Sequence, residues 1–382
     1  MDYLLNEEQI SLRKSVREFA LRKLKPGVAQ RDASGEFPED AISEMQKMGL
    51  MGLVFPPEYG GRGLDYVSYT IAVEELAKVD AAAAITLLAH MLCSYHIFRF
   101  GSEEQKKVYL TPLANGEKLG AWALTEPQAG SDAAAIGTEA HPDGKEWVLK
   151  GNKFFITNGS RADTIVVMAS TDKSRGSKGI SAFIMDGNTA GLRKGKNLDK
   201  LGFRSSDTVA LFLEDTRVSE MNMMGRPNSG FAQTMEVLDA GRIGLAAMAT
   251  GIAAGCLDAS IEYARKRQAF GRPIAEHQAI QWMIADMATE LDASRLLVHR
   301  AARLYDEGKK FTREASMAKL FASEMCVRAA HKAVQIHGGH GYIKTHTVER
   351  FFREAKLCEI GEGTSEIQRM IIAREIFEAS DK

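Results

Sequence analysis

Cysteine is scarce in this chain of 382 residues: Cys93, Cys256, Cys326 and Cys358 are scattered and form no C-x-x-C pair. That spacing signals neither a zinc site nor a disulfide framework, and isolated thiols of this kind are ordinarily small buried hydrophobes. An excess of charge of one sign is also missing. The 49 Lys and Arg against 50 Asp and Glu leave a net charge of −1, which offers no global field for nucleic acid or an anionic membrane. No uninterrupted apolar run approaches ~18 residues, and the Ala-rich stretch from Ala81 to Leu92 is too short to span a bilayer. The opening Met1-Asp2-Tyr3-Leu4-Leu5-Asn6 has neither the basic-then-apolar layout of a signal peptide nor the Arg-rich layout of a transit peptide. A cytoplasmic protein is expected, with a mature mitochondrial matrix protein as the alternative. Three common signatures are absent: G-x-x-x-x-G-K-[ST], G-x-G-x-x-G and H-E-x-x-H. His337 and His340 flank two glycines with no accompanying carboxylates, a pattern of a tight turn, so no metal is expected.

What is present is an ordinary globular balance, 45% hydrophobic and 26% charged, in a chain long enough to bury a large core. Its texture changes twice. Up to about Ala114 the periodicity is helical: Leu12, Val16, Phe19 and Ala20 share one face, and a second helix starts at Phe37-Pro38-Glu39. Ser68 to Val79 and Ala81 to Phe100 read as largely buried helices. Short β-type runs then follow between Gly, Asn and Asp: Trp147–Lys150, Phe154–Thr157, Thr164–Ala169, Ile180–Met185 and Val209–Leu213. From Phe231 long helices return, with Ala and Gly at many facing positions that permit close approach. The expectation is an N-terminal all-α domain (1–117), a central antiparallel β-barrel (118–228) and a C-terminal four-helix bundle (229–382).

Several stretches carry both a structural and a chemical reading. Trp122 to Asp132 is a short apolar strand feeding a loop of hydroxyl, Gly and acidic residues, which is either a turn or a polar ligand cradle. Phe154-Phe155-Ile156-Thr157-Asn158-Gly159 reads as an aromatic strand ending in a hairpin turn. Asp239 and Arg242 are three apart near a helix start, the spacing of an intrahelical ion pair. Arg265-Lys266-Arg267 before Phe270-Gly271 is either a solvated charge run or a phosphate site. Glu362 lies between two glycines, just before a helix with Ser365 and Gln368 at capping-box spacing. Those glycines either serve the turn alone or strip bulk from around one carboxylate.

Taken in order, these stretches resemble the acyl-CoA dehydrogenases over essentially the whole chain. The resemblance is carried by Leu124-Thr125-Glu126-Pro127 through Asp132, Leu201 through Thr208, Arg267-x-x-Phe270-Gly271 with Gln278, Gln335 through Tyr342, and Glu362 through Arg369. It implies FAD in a cleft between barrel and bundle. Trp122, Leu124, Thr125, Ser131, Phe155 and Thr157 would hold the flavin and pyrophosphate from the barrel side. Arg267, Phe270, Gln278, Gln335 and Gly339 would reach the adenosine half of a neighbouring subunit's FAD, with Thr364 and Glu366 as further contacts. Phe155 stands where Trp is common in the family, and Ala269 where Thr is. A homotetramer follows from FAD sites that borrow residues across a dimer interface, and an electron-transfer flavoprotein is the implied reoxidant.

By the same resemblance Glu362 is the catalytic base that takes the α-proton of an acyl-CoA while the β-hydride leaves for flavin N5. A Glu near its usual pKa of about 4.3 is a weak base for a carbon acid, so burial is expected to raise it. Some branched-chain members place their base at the position of Gly241, which has no side chain to offer. Asp239 and Arg242 match CoA contacts, with Ser131 near the pantetheine. Gly361 replaces a Tyr common just before the base. Together with the bulk of Leu88, Met91 and Phe98, it points to a short, branched, alicyclic or arylalkyl substrate. An acyl-CoA oxidase, a DNA-associated member and a non-catalytic scaffold are the alternatives. An intact Glu362 opposes the scaffold, and the charge balance opposes DNA binding.

Overall fold

A computed structural model describes residues 5–380. The N-terminal helices are α1 (Glu7–Phe19), α2 (Val28–Ser34), α3 (Glu39–Lys47), α4 (Tyr66–Ala77), α5 (Ala81–Phe100) and the short α6 (Glu103–Gln105) and α7 (Thr111–Ala114). Local chemistry sets their starts. Asn6 and Gln9 form a reciprocal capping box on α1, Asp65 accepts the Ser68 N–H on α4, and Asp80 accepts the Ala82 N–H on α5. The stripe read from sequence on α1 is buried. The Ala81–Leu92 stretch, too short to span by itself, is part of α5, which extends to Phe100 as expected and is long and apolar enough to cross a bilayer, as is the helix Gly230–Lys266. In each, 89% of the apolar window is buried inside the fold, which marks a core helix.

The central segment holds β1 (Gly120–Ala123), β2 (Glu139–Asp143), β3 (Glu146–Thr157), β4 (Thr164–Ser170), β5 (Ile180–Asp186), β6 (Leu192–Lys194), β7 (Thr208–Ser219) and β8 (Met223–Met224). Their order is β6-β7-β3-β2-β4-β5-β8, with β1 paired to β4. Pairing is antiparallel except that β1 and β2 both run parallel to β4, which refines the all-antiparallel expectation. Every residue of β4 is buried. Val166 and Met168 face the helical core while Ile165, Val167 and Ala169 face the sheet's own core, hence the unbroken apolar run in the sequence.

The two runs Trp147–Lys150 and Phe154–Thr157 are one strand, β3, broken by register shifts at Leu149/Gly151 and Lys153/Ile156. No hairpin follows at Asn158-Gly159. The chain leaves for β4, and the buried Asn158 Nδ2 donates to the Thr86 and Gly120 carbonyls instead.

The C-terminal part contains α8 (Gly230–Lys266), a two-residue-strand hairpin of β9 (Gln268–Ala269) and β10 (Arg272–Pro273), then α9 (Gln278–Asp306), α10 (Thr312–His337), α11 (Thr347–Cys358) and α12 (Ser365–Ser380). Helix α8 is the axis of the molecule, packing on α4, α5, α9, α10 and α11. Its glycines make that approach possible: a Cβ at Gly251 would lie 2.4 Å from the Glu74 carbonyl oxygen, and one at Gly255 2.6 Å from that of Lys78.

Candidate active site

Between α11 and α12 the backbone turns through left-handed conformations at Glu362 (φ +53°) and Gly363 (φ +93°). Such a φ is costly for Glu, so its surroundings must hold it. Gln368 Nε2 donates to the carbonyls of Glu362 (3.2 Å) and Gly363 (2.9 Å), and Lys319 Nζ from α10 donates to the Gly363 carbonyl at 2.7 Å. The expected capping box is therefore not formed. Thr364, one residue earlier than expected, caps α12 by accepting the Ile367 N–H, and Gln368 serves the turn.

The consequence is a carboxylate aimed inward. Glu362 Oε2 is buried and has no hydrogen-bond partner. A Cβ at Gly241 on α8 would sit 2.4 Å from that oxygen, so only glycine leaves the carboxylate its place. Burial pushes the Glu362 carboxyl up to about 7, against the pull of Arg242 and Lys319. Its backbone N–H has no acceptor among the described residues.

Below the carboxylate lies a narrow cleft whose side chains close on one another and leave no room for a water molecule. Tyr66 and Tyr69 of α4, Leu88, Met91, Leu92 and Tyr95 of α5, and Val237, Ala240 and Gly241 of α8 line it. Tyr66 donates to the Ala240 carbonyl (3.0 Å) and stacks obliquely on Tyr305 at 4.3 Å and Tyr69 at 5.1 Å, so the aromatic floor is braced. These tyrosines were missed in the sequence reading. Their i,i+3 spacing in an otherwise apolar helix was the available signal. Leu88 and Met91 are where expected, whereas Phe98 packs away from the site on Phe55 and Tyr59. Gly361 does not line the cavity. A Cβ there would meet only the Leu357 carbonyl at 3.5 Å and Leu245 at 3.9 Å.

Asp239 and Arg242 form the intrahelical pair read from their spacing, Nη1 to Oδ1 at 2.5 Å, and Thr312 donates to the second Asp239 oxygen. Arg242 is only 4% exposed and its buried Nε lacks a partner, which sets a cation facing the Glu362 carboxylate. Ser131 is exposed on the loop after β1 and makes no hydrogen bond to either residue.

The remaining positions fall into two groups. Around the end of β1 and β3 lie Trp122, whose Nε1 donates to His96 Nδ1 (3.0 Å), then Leu124, Thr125, Phe155 and Thr157. Phe154 N–H donates to the Thr125 carbonyl, joining strand to loop. The Lys153/Ile156 register shift turns Phe155 outward, 61% exposed and at φ +59°. A strained, exposed aromatic ring is a poor surface residue but a suitable platform for a flat ring system, so these residues fit a flavin.

Arg267, Phe270, Gln278, Gln335 and Gly339 gather instead at the far end of the bundle, all exposed, Phe270 to 95%. Along α8 that end is about 39 Å from Gly241 at 1.5 Å per residue. Thr364 and Glu366 lie at the start of α12, just after Glu362.

Sequence models of the acyl-CoA dehydrogenase N-terminal, middle and C-terminal domains match residues 6–117, 121–216 and 228–377. The short-chain specific acyl-CoA dehydrogenase of Clostridium acetobutylicum is 46% identical, over 99% of this chain and all of that one. The butyryl-CoA dehydrogenase structure from Megasphaera elsdenii superposes with a TM-score of 0.97 at 43% identity, covering 99% of this chain and 100% of that one. A chain from a study of the electron transferring flavoprotein of Acidaminococcus fermentans superposes equally well, TM-score 0.97 at 47% identity, covering 98% and 99%. With all three domains matched in order and such relatives aligned end to end, the chain belongs to the acyl-CoA dehydrogenase family, FAD-containing oxidoreductases.

Proposed function

We propose that the protein dehydrogenates short acyl-CoA thioesters between Cα and Cβ, with Glu362 as the base. The observation that carries this is the unpartnered Glu362 oxygen at the head of a narrow, tyrosine-floored cleft. An acyl chain that displaces the side chains of that cleft would bring its Cα to the carboxylate, which takes the α-proton. The free N–H of Glu362 is positioned to donate to the thioester carbonyl, where charge develops as the proton leaves. FAD, when bound, accepts the β-hydride. Trp122, Leu124, Thr125, Ser131, Phe155 and Thr157 would hold its ring end, with Thr364 and Glu366 beside it. Asp239 and Arg242 would bind the CoA portion.

The braced floor of Tyr66, Tyr69 and Tyr95 sets the length limit, because lengthening the cavity would mean dislodging the Tyr66–Tyr305 stack. Gly361 lies outside the cavity lining and so gives no direct room to a branch. The reading is a short chain, straight or lightly branched. The short-chain specific and butyryl-CoA relatives support it. An electron transferring flavoprotein is the proposed electron acceptor, supported by the Acidaminococcus neighbour.

Anaerobic bleaching of the flavin across a panel of acyl-CoA thioesters tests this. Butyryl-CoA should bleach it fastest, isobutyryl-CoA more slowly, and octanoyl- and benzylsuccinyl-CoA hardly at all. The rate should rise with pH through about 7 as Glu362 ionises. Glu362→Gln should keep its FAD and fail to bleach. Fast turnover of octanoyl-CoA would refute the length limit, and bleaching by the Gln variant would refute the base.

A further inference from the structure

Lys319 is a charge in a costly place. It lies on α10, none of its side chain reaches solvent, and among the described residues no carboxylate comes within ion-pair distance of its ammonium. An isolated buried charge is normally lost to deprotonation or replaced by an apolar group. Burial pulls this ammonium down to about 8, with Cys358 and Glu362 resisting, so it keeps its proton at neutral pH. Its hydrogen bond goes to the carbonyl of Gly363, the residue after the base.

We propose that Lys319 is a positioning residue for the Glu362 carboxylate: it clamps the left-handed Glu362–Gly363 turn onto α10 and stands with Arg242 as one of two cations facing the base. The inference rests on reading Glu362 as that base. The clamp acts on the backbone that aims the side chain, and Gln368 grips the same carbonyl from α12, so the turn is held from two helices. Charged and titratable groups face Glu362 from each neighbouring element. They are Tyr66 and Tyr69 on α4, both kept neutral by burial, Tyr95 on α5, Arg242 with its partner Asp239 on α8, and Lys319 on α10, with Cys358 and Glu359 at the end of α11 acting on Lys319. Of these only Arg242 and Lys319 favour the ionised carboxylate. Removing either cation makes Glu362 harder to ionise and moves the acid limb of activity to higher pH.

Three FAD-loaded variants separate the clamp from the charge. Lys319→Arg keeps both, Lys319→Gln keeps a donor without charge, and Lys319→Met keeps neither. Two readouts apply: the pH dependence of flavin reduction by butyryl-CoA, and infrared titration of the carboxyl band that Glu362→Gln abolishes. The midpoint should rise by about one pH unit in the Gln and Met variants and stay put in the Arg variant. Lys319→Met should also lose about tenfold in limiting rate relative to Lys319→Gln, as the turn loosens. If Lys319→Met does not fold, Lys319→Gln alone decides the charge. An unmoved infrared midpoint in the Gln and Met variants would overturn the proposal. If the midpoint shifts as expected yet Glu362→Gln still bleaches the flavin, Lys319 governs the carboxylate and the base reading is what fails.

Discussion

Glu362 is caught between two opposed electrostatic effects. Burial against Gly241 and Leu92 disfavours its charge, Arg242 and Lys319 favour it, and burial dominates, leaving the carboxyl at about 7 rather than the usual 4.5. A folded-state pKa above the unfolded one means that the native protein holds a proton which the unfolded chain releases between those values. The group therefore costs almost nothing well below pH 4.5 and exacts its full penalty above about pH 7, on the order of 3 kcal/mol. Glu362→Gln removes that penalty without changing the shape of the site. Calorimetry should find the variant melting several degrees above wild type at pH 8, with most of that difference gone at pH 5. An equal difference at both pH values would show that ionisation of Glu362 is not what strains the native state. The same residue illustrates what a sequence withholds. The two flanking glycines marked an unencumbered carboxylate, but its contact with Gly241, 121 positions earlier, exists only in three dimensions.

At the scale of elements, the loop from Leu124 to Thr138 is tied down by a buried ion pair. Lys153 on β3 is wholly buried and donates to Glu126 at 2.7 Å and to the Leu124 carbonyl at 3.0 Å. Glu126 also accepts from the Gly137 and Thr138 N–H groups, the Thr138 hydroxyl and Gln128. Burial opposes its charge, but Lys153 and these donors outweigh burial and hold the carboxyl below its usual range. Lys153→Met leaves that charge without its cation. A loss of about 3 kcal/mol is expected in urea unfolding, the low end for a broken buried pair because four donors remain. Adding Glu126→Gln should recover much of it, and FAD affinity should fall with the loosened loop in the single variant.

None of this was read from the sequence, where Glu126 was one letter in a loop and Lys153 lay in the gap between two supposed strands. Element types were legible because periodicity reports burial directly: α1, α4, α5, α8 and β4 lie close to where their apolar patterns put them. Bulges are another matter. The shift at Lys153/Ile156 that joins two runs into β3 and throws Phe155 outward leaves the alternation of residues nearly unchanged, so pattern alone splits the strand.

For the whole molecule, the separation of the two groups of residues proposed to hold FAD is the main geometric fact. Glu362, Gly241 and Trp122, which His96 links to Gln233, belong to one end of α8, while Arg267 and Phe270 sit at the other, about 39 Å away along the helix, farther than one extended dinucleotide reaches. If both groups serve FAD, they serve different molecules of it, and a second copy of the chain must bring its far end to each site. The exposed Phe270, Trp282 and Tyr342 on that end are the apolar surface such an assembly would cover. Mixing two defective chains tests this directly. On the proposed roles, Glu362→Gln lacks the base but keeps an intact far end, and Arg267→Glu keeps the base but fails its neighbour's cofactor. Each alone should be inactive. Co-refolded in equal amounts, half of the pairs are mixed, and each mixed pair holds one site with an intact base and an intact neighbour. Activity should return to about a quarter of wild type by random pairing. No recovery, with Arg267→Glu retaining FAD on its own, would mean that each subunit completes its own site.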